Sequence, residues 1–189
     1  MEALLEQLLP RLLGAAEFEI ICFQCKHDLL KKLPKRLKAY AGWLPKSQKI
    51  LVLLDRDESD CHRLKQGLDI MAKKAGLIAK TVNPRCFQII NRIVVEELEA
   101  WFFGDWKAVR SAYSKVPENI PRKARFRDPD AISGGTWEEF ERVLKRAGYF
   151  STGLRKLECA RTIAPHMQPE RNASRSFQAF REALAAALA

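Results

Sequence analysis

The stretch that decides the fold runs from Ile50 to Asp57 and reads Ile-Leu-Val-Leu-Leu-Asp-Arg-Asp. Its first five residues are all apolar, and this lack of alternation predicts a strand that is covered on both faces. Such strands belong to parallel sheets with helices on either side. Because ligands of open α/β sheets bind beyond the carboxyl ends of the strands, Asp55 and Asp57 are candidate site residues.

The rest of the chain alternates predicted helices with predicted strands. Leucines at helical spacing predict a helix over residues 1–13, and apolar runs predict further strands over residues 18–23 and 87–95. The order predicts an open, mainly parallel α/β sheet flanked by helices. We expect a core over residues 1–113, a long proline-containing loop over 114–135, and a helical subdomain over 136–189 that packs on the core.

Composition narrows the class of protein and of partner. The chain has 189 residues, five cysteines and a formal net charge of +10. It contains no apolar run near the ~20 residues of a membrane span and no basic leader, so we expect a cytoplasmic protein with reduced thiols and no membrane contact. The positive charge favours a polyanion such as nucleic acid as the partner.

The basic residues are concentrated in two stretches, 26–49 and 107–127. Residues 26–49 carry eight Lys or Arg and one acid, Asp28, which predicts a helix that could follow a phosphate backbone. The plain alternative is a solvated helix face. The predicted nucleic-acid-binding residues are Lys31, Lys32, Lys35, Arg36 and Lys38.

Carboxylates follow two of the predicted strands. Asp55 and Asp57, one residue apart, can point the same way in an extended chain, and a divalent cation such as Mg²⁺ or Mn²⁺ would relieve their repulsion. Glu97 and Glu99 follow the 87–95 strand and could complete the site from a neighbouring strand end. Two alternatives stay open. In the first, these acids have no role other than capping helices. In the second, Asp55 is the nucleophile and Asp57 the general acid of a haloacid-dehalogenase-type phosphatase.

A Cys-x-x-Cys pair, Cys22 and Cys25, raises the question of zinc or redox chemistry. The pair lies at a predicted strand, where residues three apart point to opposite faces, and no second pair follows at ligand spacing. We therefore interpret both cysteines as structural.

Two segments resemble a known family. Residues 53–61 (Leu-Leu-Asp-Arg-Asp-Glu-Ser-Asp-Cys) and 91–105, with its Glu-Ala-Trp, resemble a bacterial domain-of-unknown-function family with a Toprim-like fold, and residues 153–156 and 171–177 agree. Toprim domains occur in topoisomerases, primases and the nucleases associated with overcoming-lysogenisation-defect ATPases. The resemblance implies magnesium-dependent phosphodiester chemistry, an ABC-type ATPase as partner, and a role in phage defence. A homodimer is a further expectation.

The resemblance also implies roles for single residues. Asp55, Asp57 and Glu97 would hold the metal, and Glu99 and Lys156 would assist catalysis. One feature of the family pattern has no counterpart here, namely its first strand. A Toprim domain opens with a strand that ends in a Glu. The first residues of this sequence match the helix that follows that strand. The expected first strand and its Glu are therefore absent from this sequence. The alternative function is a non-catalytic module that binds nucleic acid or an ATPase.

Overall fold

The computed structural model describes residues 1–56, 60–95 and 97–189. Within them, strand β1 (Ile50–Asp55) and strand β2 (Ile89–Val94) form a parallel two-stranded sheet. Their register runs from Ile50 opposite Ile89 to Asp55 opposite Val94, so the carboxyl ends of both strands meet at one edge. The prediction of an α/β fold with an open, parallel sheet is confirmed.

Helices make up most of the described chain. The α-helices are α1 (Glu2–Leu13), α2 (Lys26–Ala41), α3 (Cys61–Lys74), α4 (Glu99–Gly104), α5 (Trp106–Ala112), α6 (Thr136–Arg146), α7 (Lys156–Ile163) and α8 (Arg175–Leu188). Single turns of 3-10 helix are formed by Ile120–Arg122, Ala124–Phe126, Pro129–Ala131, Ala164–His166 and Pro169–Arg171. Among the helices of these described stretches, none has the length and apolar character to cross a membrane.

The sheet is covered on both faces, as the unbroken apolar run in β1 indicates. Val52 and Leu54 are buried in one cluster with residues of α2 and α3. Leu51 and Leu53, which alternate with them along the strand, pack against a second cluster formed by α1 and α4–α8. The alternation of side chains along the strand therefore places one helical layer on each face.

The second cluster is the larger one and joins the first helix to the last five. In α1, Leu4 and Leu8 are fully buried, four residues apart and on one face of the helix. Three aromatic side chains from α4 and α8, Trp101, Phe177 and Phe180, lie with ring centroids 5.0–6.2 Å apart. Residues far apart in the sequence therefore share one core.

The two most specific segments of the family resemblance meet in this core. The Trp101 indole N–H donates a hydrogen bond of 2.9 Å to Ser176 Oγ. The hydroxyls of Ser176 and Ser174 each donate to Asp130 Oδ1 at 2.8 Å, and Ser174 also caps α8 by accepting from the Phe177 backbone N–H. In the described structure, the Glu-Ala-Trp segment (residues 99–101) and the Ser-x-Ser-Phe segment (residues 174–177) thus contact each other in the core.

One local prediction is wrong. Residues 18–23 form neither a strand nor a helix, and Phe18 and Cys22 are exposed, so this apolar run has no neighbouring strand in the described structure to stabilise it. Helix α2 begins at Lys26 and contains Pro34, and Gly135 occupies the N-cap position of α6.

Candidate functional site

The candidate site lies at the carboxyl edge of the sheet. Asp55 is the last residue of β1 and lies opposite Val94, so the chain after β2 passes close to it. Glu97 follows β2, and Glu99 is the first residue of α4. The parallel pairing of the strands therefore brings together acids that are more than forty positions apart in the sequence. Asp57 and Glu96, together with Glu58 and Ser59, lie outside the described residues.

Lys156 approaches these acids from another part of the chain. It is the first residue of α7, and its Nζ lies 3.9 Å from Glu97 Oε1 and 3.8 Å from Glu99 Oε1. The same ammonium lies 4.8 Å from the ring centroid of Trp137, a cation–π contact that helps to hold the side chain over the site. Lys156 itself is half-exposed, so its ammonium can also meet a ligand from solvent.

Glu97 has a structural contact in addition to its place in the site. Its Oε2 accepts a hydrogen bond of 3.1 Å from the backbone N–H of Trp137, in the first turn of α6. A carboxylate at a helix N-terminus is favourable, since the first N–H groups of a helix have no partner within it. Glu97 therefore provides from a distance the cap that Gly135 cannot provide.

Glu99 is the most buried carboxylate of the site, with 3% of its surface exposed. Burial raises its pKa above the usual range, and the negative charges of Glu97 and Asp55 raise it further. Lys156 and the backbone N–H of Glu99 itself oppose that rise in pKa. The charges of Glu97, Asp55 and Lys156 therefore all act on Glu99.

The chemistry of this donor set fits a divalent cation. Carboxylate oxygens are the preferred ligands of Mg²⁺, and a cation would offset both the burial of Glu99 and the smaller repulsion from Glu97 and Asp55, the causes that raise its pKa. In residues 1–56, 60–95 and 97–189, no three side chains of His, Cys, Asp or Glu are grouped at the spacing of a bound metal ion. Asp57, one of the predicted ligands, lies outside these ranges.

The predicted nucleic-acid-binding residues lie on one side of α2. All five are exposed, whereas Leu33 and Leu37 between them are buried against α3 and the sheet. The helix begins close to the candidate site, because Lys26 Nζ donates a hydrogen bond of 2.9 Å to the carbonyl of Arg56, just after β1. A polyanion lying along α2 would therefore reach the carboxyl edge of the sheet. Their role in binding nucleic acid stays a prediction.

Two contacts of the site were not predicted from the sequence. Trp137 supports both Glu97 and Lys156, and Lys26 connects α2 to the end of β1. Nothing in the local pattern around either residue signals these contacts, since both depend on packing between distant elements. The cysteines of the Cys-x-x-Cys pair are exposed free thiols.

Comparison with known proteins gives one match. A family model described as Domain of unknown function (DUF4276) matches residues 1–185, which is nearly the whole chain. Neither a curated protein nor a solved structure matches the sequence.

Proposed function

The chain belongs to the DUF4276 family, and because that description assigns no activity, we propose from its site that the protein is a Toprim-like, divalent-metal-dependent nuclease. The observation that carries the proposal is the meeting of Asp55, Glu97 and Glu99 at the carboxyl ends of two adjacent parallel strands. Ligands of open α/β sheets bind at this edge. Repulsive carboxylates held at such an edge are more readily explained by a bound cation than by fold stability.

The residues that would hold the cation are Asp55 and Glu97, joined by Asp57 as predicted from the sequence. A bound Mg²⁺ or Mn²⁺ would supply Lewis acidity toward a phosphoryl oxygen and would lower the pKa of a water molecule. Glu99, buried beside them with a raised pKa, is suited to hold a proton near the reacting phosphate. Each role matches a residue type that the chemistry requires.

Lys156 would supply the positive charge that the proposed chemistry also requires. Its ammonium lies within 3.9 Å of both glutamates and is half-exposed. When a phosphodiester enters the site, this ammonium can contact a non-bridging oxygen and offset the negative charge that develops there. The Trp137 ring limits how far the side chain moves, which keeps the ammonium at the strand ends.

The proposed substrate is nucleic acid, bound along α2. The exposed basic side chains of this helix would contact backbone phosphates and release counterions. An ABC-type ATPase partner and a function in phage defence complete the proposal, and both are supported by the resemblance to nucleases associated with such ATPases.

Calorimetry with Mg²⁺ and Mn²⁺ tests the metal site first. We expect wild type to bind, and Asp55→Asn and Glu97→Gln each to weaken binding by at least about tenfold, because each removes a carboxylate ligand. Glu118→Gln is the matched control, since Glu118 is exposed and pairs with Arg110 outside the site. It makes the same change of charge and should leave metal binding unaltered.

A cleavage assay tests the activity itself. Wild type should cleave DNA or RNA only with a divalent metal, and an Asp55→Asn, Asp57→Asn double variant should lose cleavage while keeping its thermal stability. Cleavage that persists in a clean preparation of the double variant would exclude this site as the centre of catalysis.

A second function is favoured by one specific observation. Lys156 already brings a positive charge to Glu97 and Glu99, so the site has an internal counter-ion within the protein. We infer from this an alternative in which the chain is a non-catalytic module that binds nucleic acid or an ATPase. It predicts nucleic-acid binding with a steep salt dependence, and no turnover with any divalent ion. Metal-dependent cleavage by wild type would exclude it.

A further inference from the structure

A small cavity lies beside β2, away from the acidic strand ends. On the edge of β2 opposite to β1, Ala79 and Lys80 pair with Ile89, and the chain then turns away from the sheet. The space that this turn leaves against α3 has a volume of about 220 Å³. This is smaller than the ~300–1,000 Å³ of sites for drug-sized ligands, so the cavity suits a small chemical group. The polar residues that line it are Lys65, Asp69, Lys80, Thr81, Asn91 and Arg92.

A buried amide forms part of the cavity wall. Asn91 lies in the middle of β2 and is 4% exposed, an unusual position for a polar side chain on the strand face that it shares with Ile89 and Ile93. Its Nδ2 donates a hydrogen bond of 2.7 Å to Asp69 Oδ1, and the hydroxyl of Thr81 donates to Asp69 Oδ2 at 2.8 Å. Asp69 therefore fixes the orientation of the amide.

The oxygen of the Asn91 side-chain amide accepts no hydrogen bond within the described part of the chain. This Oδ1 atom is also buried. Buried polar atoms are nearly always hydrogen-bonded, so a donor from water or from a ligand is expected at this acceptor. A ligand at this position should therefore carry an N–H or O–H group.

The charges of the cavity define the rest of the ligand. Three cationic side chains, Lys65, Lys80 and Arg92, line it, against the single carboxylate of Asp69. Arg92 is held in place, because its Nε donates to the carbonyl of Ala179 in α8 at 2.9 Å and its Nη1 donates to the carbonyl of Asn91 at 3.0 Å. The excess of positive charge favours an anion.

We propose that this cavity binds a phosphate monoester or free hydrogen phosphate. The cationic side chains would contact the charged oxygens, and the P–O–H group would donate to Asn91 Oδ1. A monoester phosphate has its second pKa near ~6, so a protonated form is well populated around that pH. Internal phosphodiesters and sulfate carry no such hydroxyl near neutral pH. The proposal goes beyond the nuclease proposal, because none of Asp55, Glu97, Glu99 and Lys156 lines the cavity.

Calorimetry with inorganic phosphate at about pH 6, where a phosphate monoester is also partly protonated, tests the proposal on the whole chain. We expect a Lys65→Gln, Lys80→Gln variant to bind phosphate at least about tenfold more weakly than wild type, because two of three cations are lost. A Lys73→Gln, Lys107→Gln variant removes the same charge from exposed residues outside the cavity and should bind within about twofold of wild type. Thermal melts of both variants establish that they fold.

Further titrations examine the donor and the source of the phosphate. Sulfate should bind more weakly than phosphate to wild type, since it offers no hydroxyl to Asn91. Titrations with a mononucleotide, and with a short oligonucleotide that has or lacks a terminal phosphate, distinguish a nucleotide ligand from the end of a nucleic acid. If free phosphate binds and none of these does, the ligand is the inorganic ion. Three results would overturn the proposal: no phosphate binding by wild type, equal affinity for sulfate, or an equal loss in the Lys73→Gln, Lys107→Gln control.

Discussion

Two buried carboxylates in neighbouring parts of the molecule, Asp105 and Glu99, have opposite surroundings. Asp105 is 1% exposed and accepts hydrogen bonds from the Arg171 guanidinium through both oxygens, at 2.5 and 3.2 Å. It also accepts from the backbone N–H groups of Gln168, at 2.7 Å, and Ala108. Glu99, 3% exposed, has Lys156 at 3.8 Å and is close enough to two other acids for them to raise its pKa.

The comparison separates a carboxylate whose charge is matched by donors within the fold from one that lies close to other acids. We call the group formed by Asp105, Arg171, Gly104 and Asn172 the Asp105 clamp. A further hydrogen bond, from the backbone N–H of Ala173 to the carbonyl of Gly104, joins the same two segments. In the clamp, the buried charge is matched by donors at short distance. At the strand ends, the carboxylates of Glu97 and Glu99 lie near the half-exposed ammonium of Lys156. Neighbouring like charges of this kind are common at functional sites.

The largest expected effect is on the clamp. Asp105→Ala should lower the free energy of unfolding by about 3–5 kcal/mol, because it leaves the Arg171 charge and the backbone N–H of Gln168 without the carboxylate that accepts from them. Urea unfolding measures the change. The control Glu118→Ala, at an exposed ion pair, should stay within about 0.5 kcal/mol of wild type. Comparable losses in the two variants would contradict the role assigned to the clamp.

A smaller effect is expected from filling the close approach inside the clamp. A Cβ on Gly104 would meet the Asn172 side-chain oxygen and lie 2.9 Å from the Ser174 backbone N. Gly104→Ala should therefore destabilise the protein by about 1–3 kcal/mol in thermal or urea unfolding.

Gly67→Ala provides the matched control for this substitution. Gly67 lies in α3, and a Cβ there meets nothing within 4 Å. This variant should be neutral or stabilising by up to about 1 kcal/mol, because Ala favours a helix over Gly. If both glycines tolerate Ala equally, the clamp is looser than the distances indicate.

At the strand ends, we expect substitution to affect stability little but metal binding strongly. Glu99→Gln should change the free energy of unfolding by less than about 1 kcal/mol at neutral pH. Burial and neighbouring acids raise the folded-state pKa of Glu99, so the folded state holds its proton more tightly than the unfolded state. Stability from this group is therefore present below its unfolded pKa and is lost as pH rises through the folded pKa.

The pH dependence of Glu99→Gln follows from this direction. Gln mimics the protonated acid, so the variant should gain stability relative to wild type as pH rises from 4 to 7. Urea unfolding of both proteins across this range measures the difference. A difference that is flat, or that shrinks as pH rises, would contradict a raised pKa at Glu99.

The smallest expected effect on stability is at Lys156. Its contacts to Glu97 and Glu99 are long and its side chain is half-exposed, so Lys156→Gln should change stability by no more than about 0.5 kcal/mol. The same variant should bind Mg²⁺ more tightly than wild type by calorimetry, because it removes a positive charge from the carboxylates, and should cleave nucleic acid more slowly. Weaker metal binding in this variant would show that Lys156 does not compete with the cation.

The sequence predicted the parts of this fold that depend on local pattern. The apolar run of β1 indicated a strand covered on both faces, and its side chains do alternate between two helical layers. The leucine spacing of α1 indicated its buried face. Residues 18–23 failed as a strand, because a strand needs a hydrogen-bonding neighbour as well as a suitable pattern.

The common location of Asp55, Glu97 and Glu99 was predictable from the sequence, since acids that follow parallel strands lie at the same edge of the sheet. Three other contacts were visible only after folding: Glu97 caps α6, Lys156 approaches both glutamates, and Asp69 holds one amide atom of Asn91. The partners in these contacts are far apart along the chain. Periodicity records which face of an element is buried, whereas contacts between elements depend on how their surfaces pack.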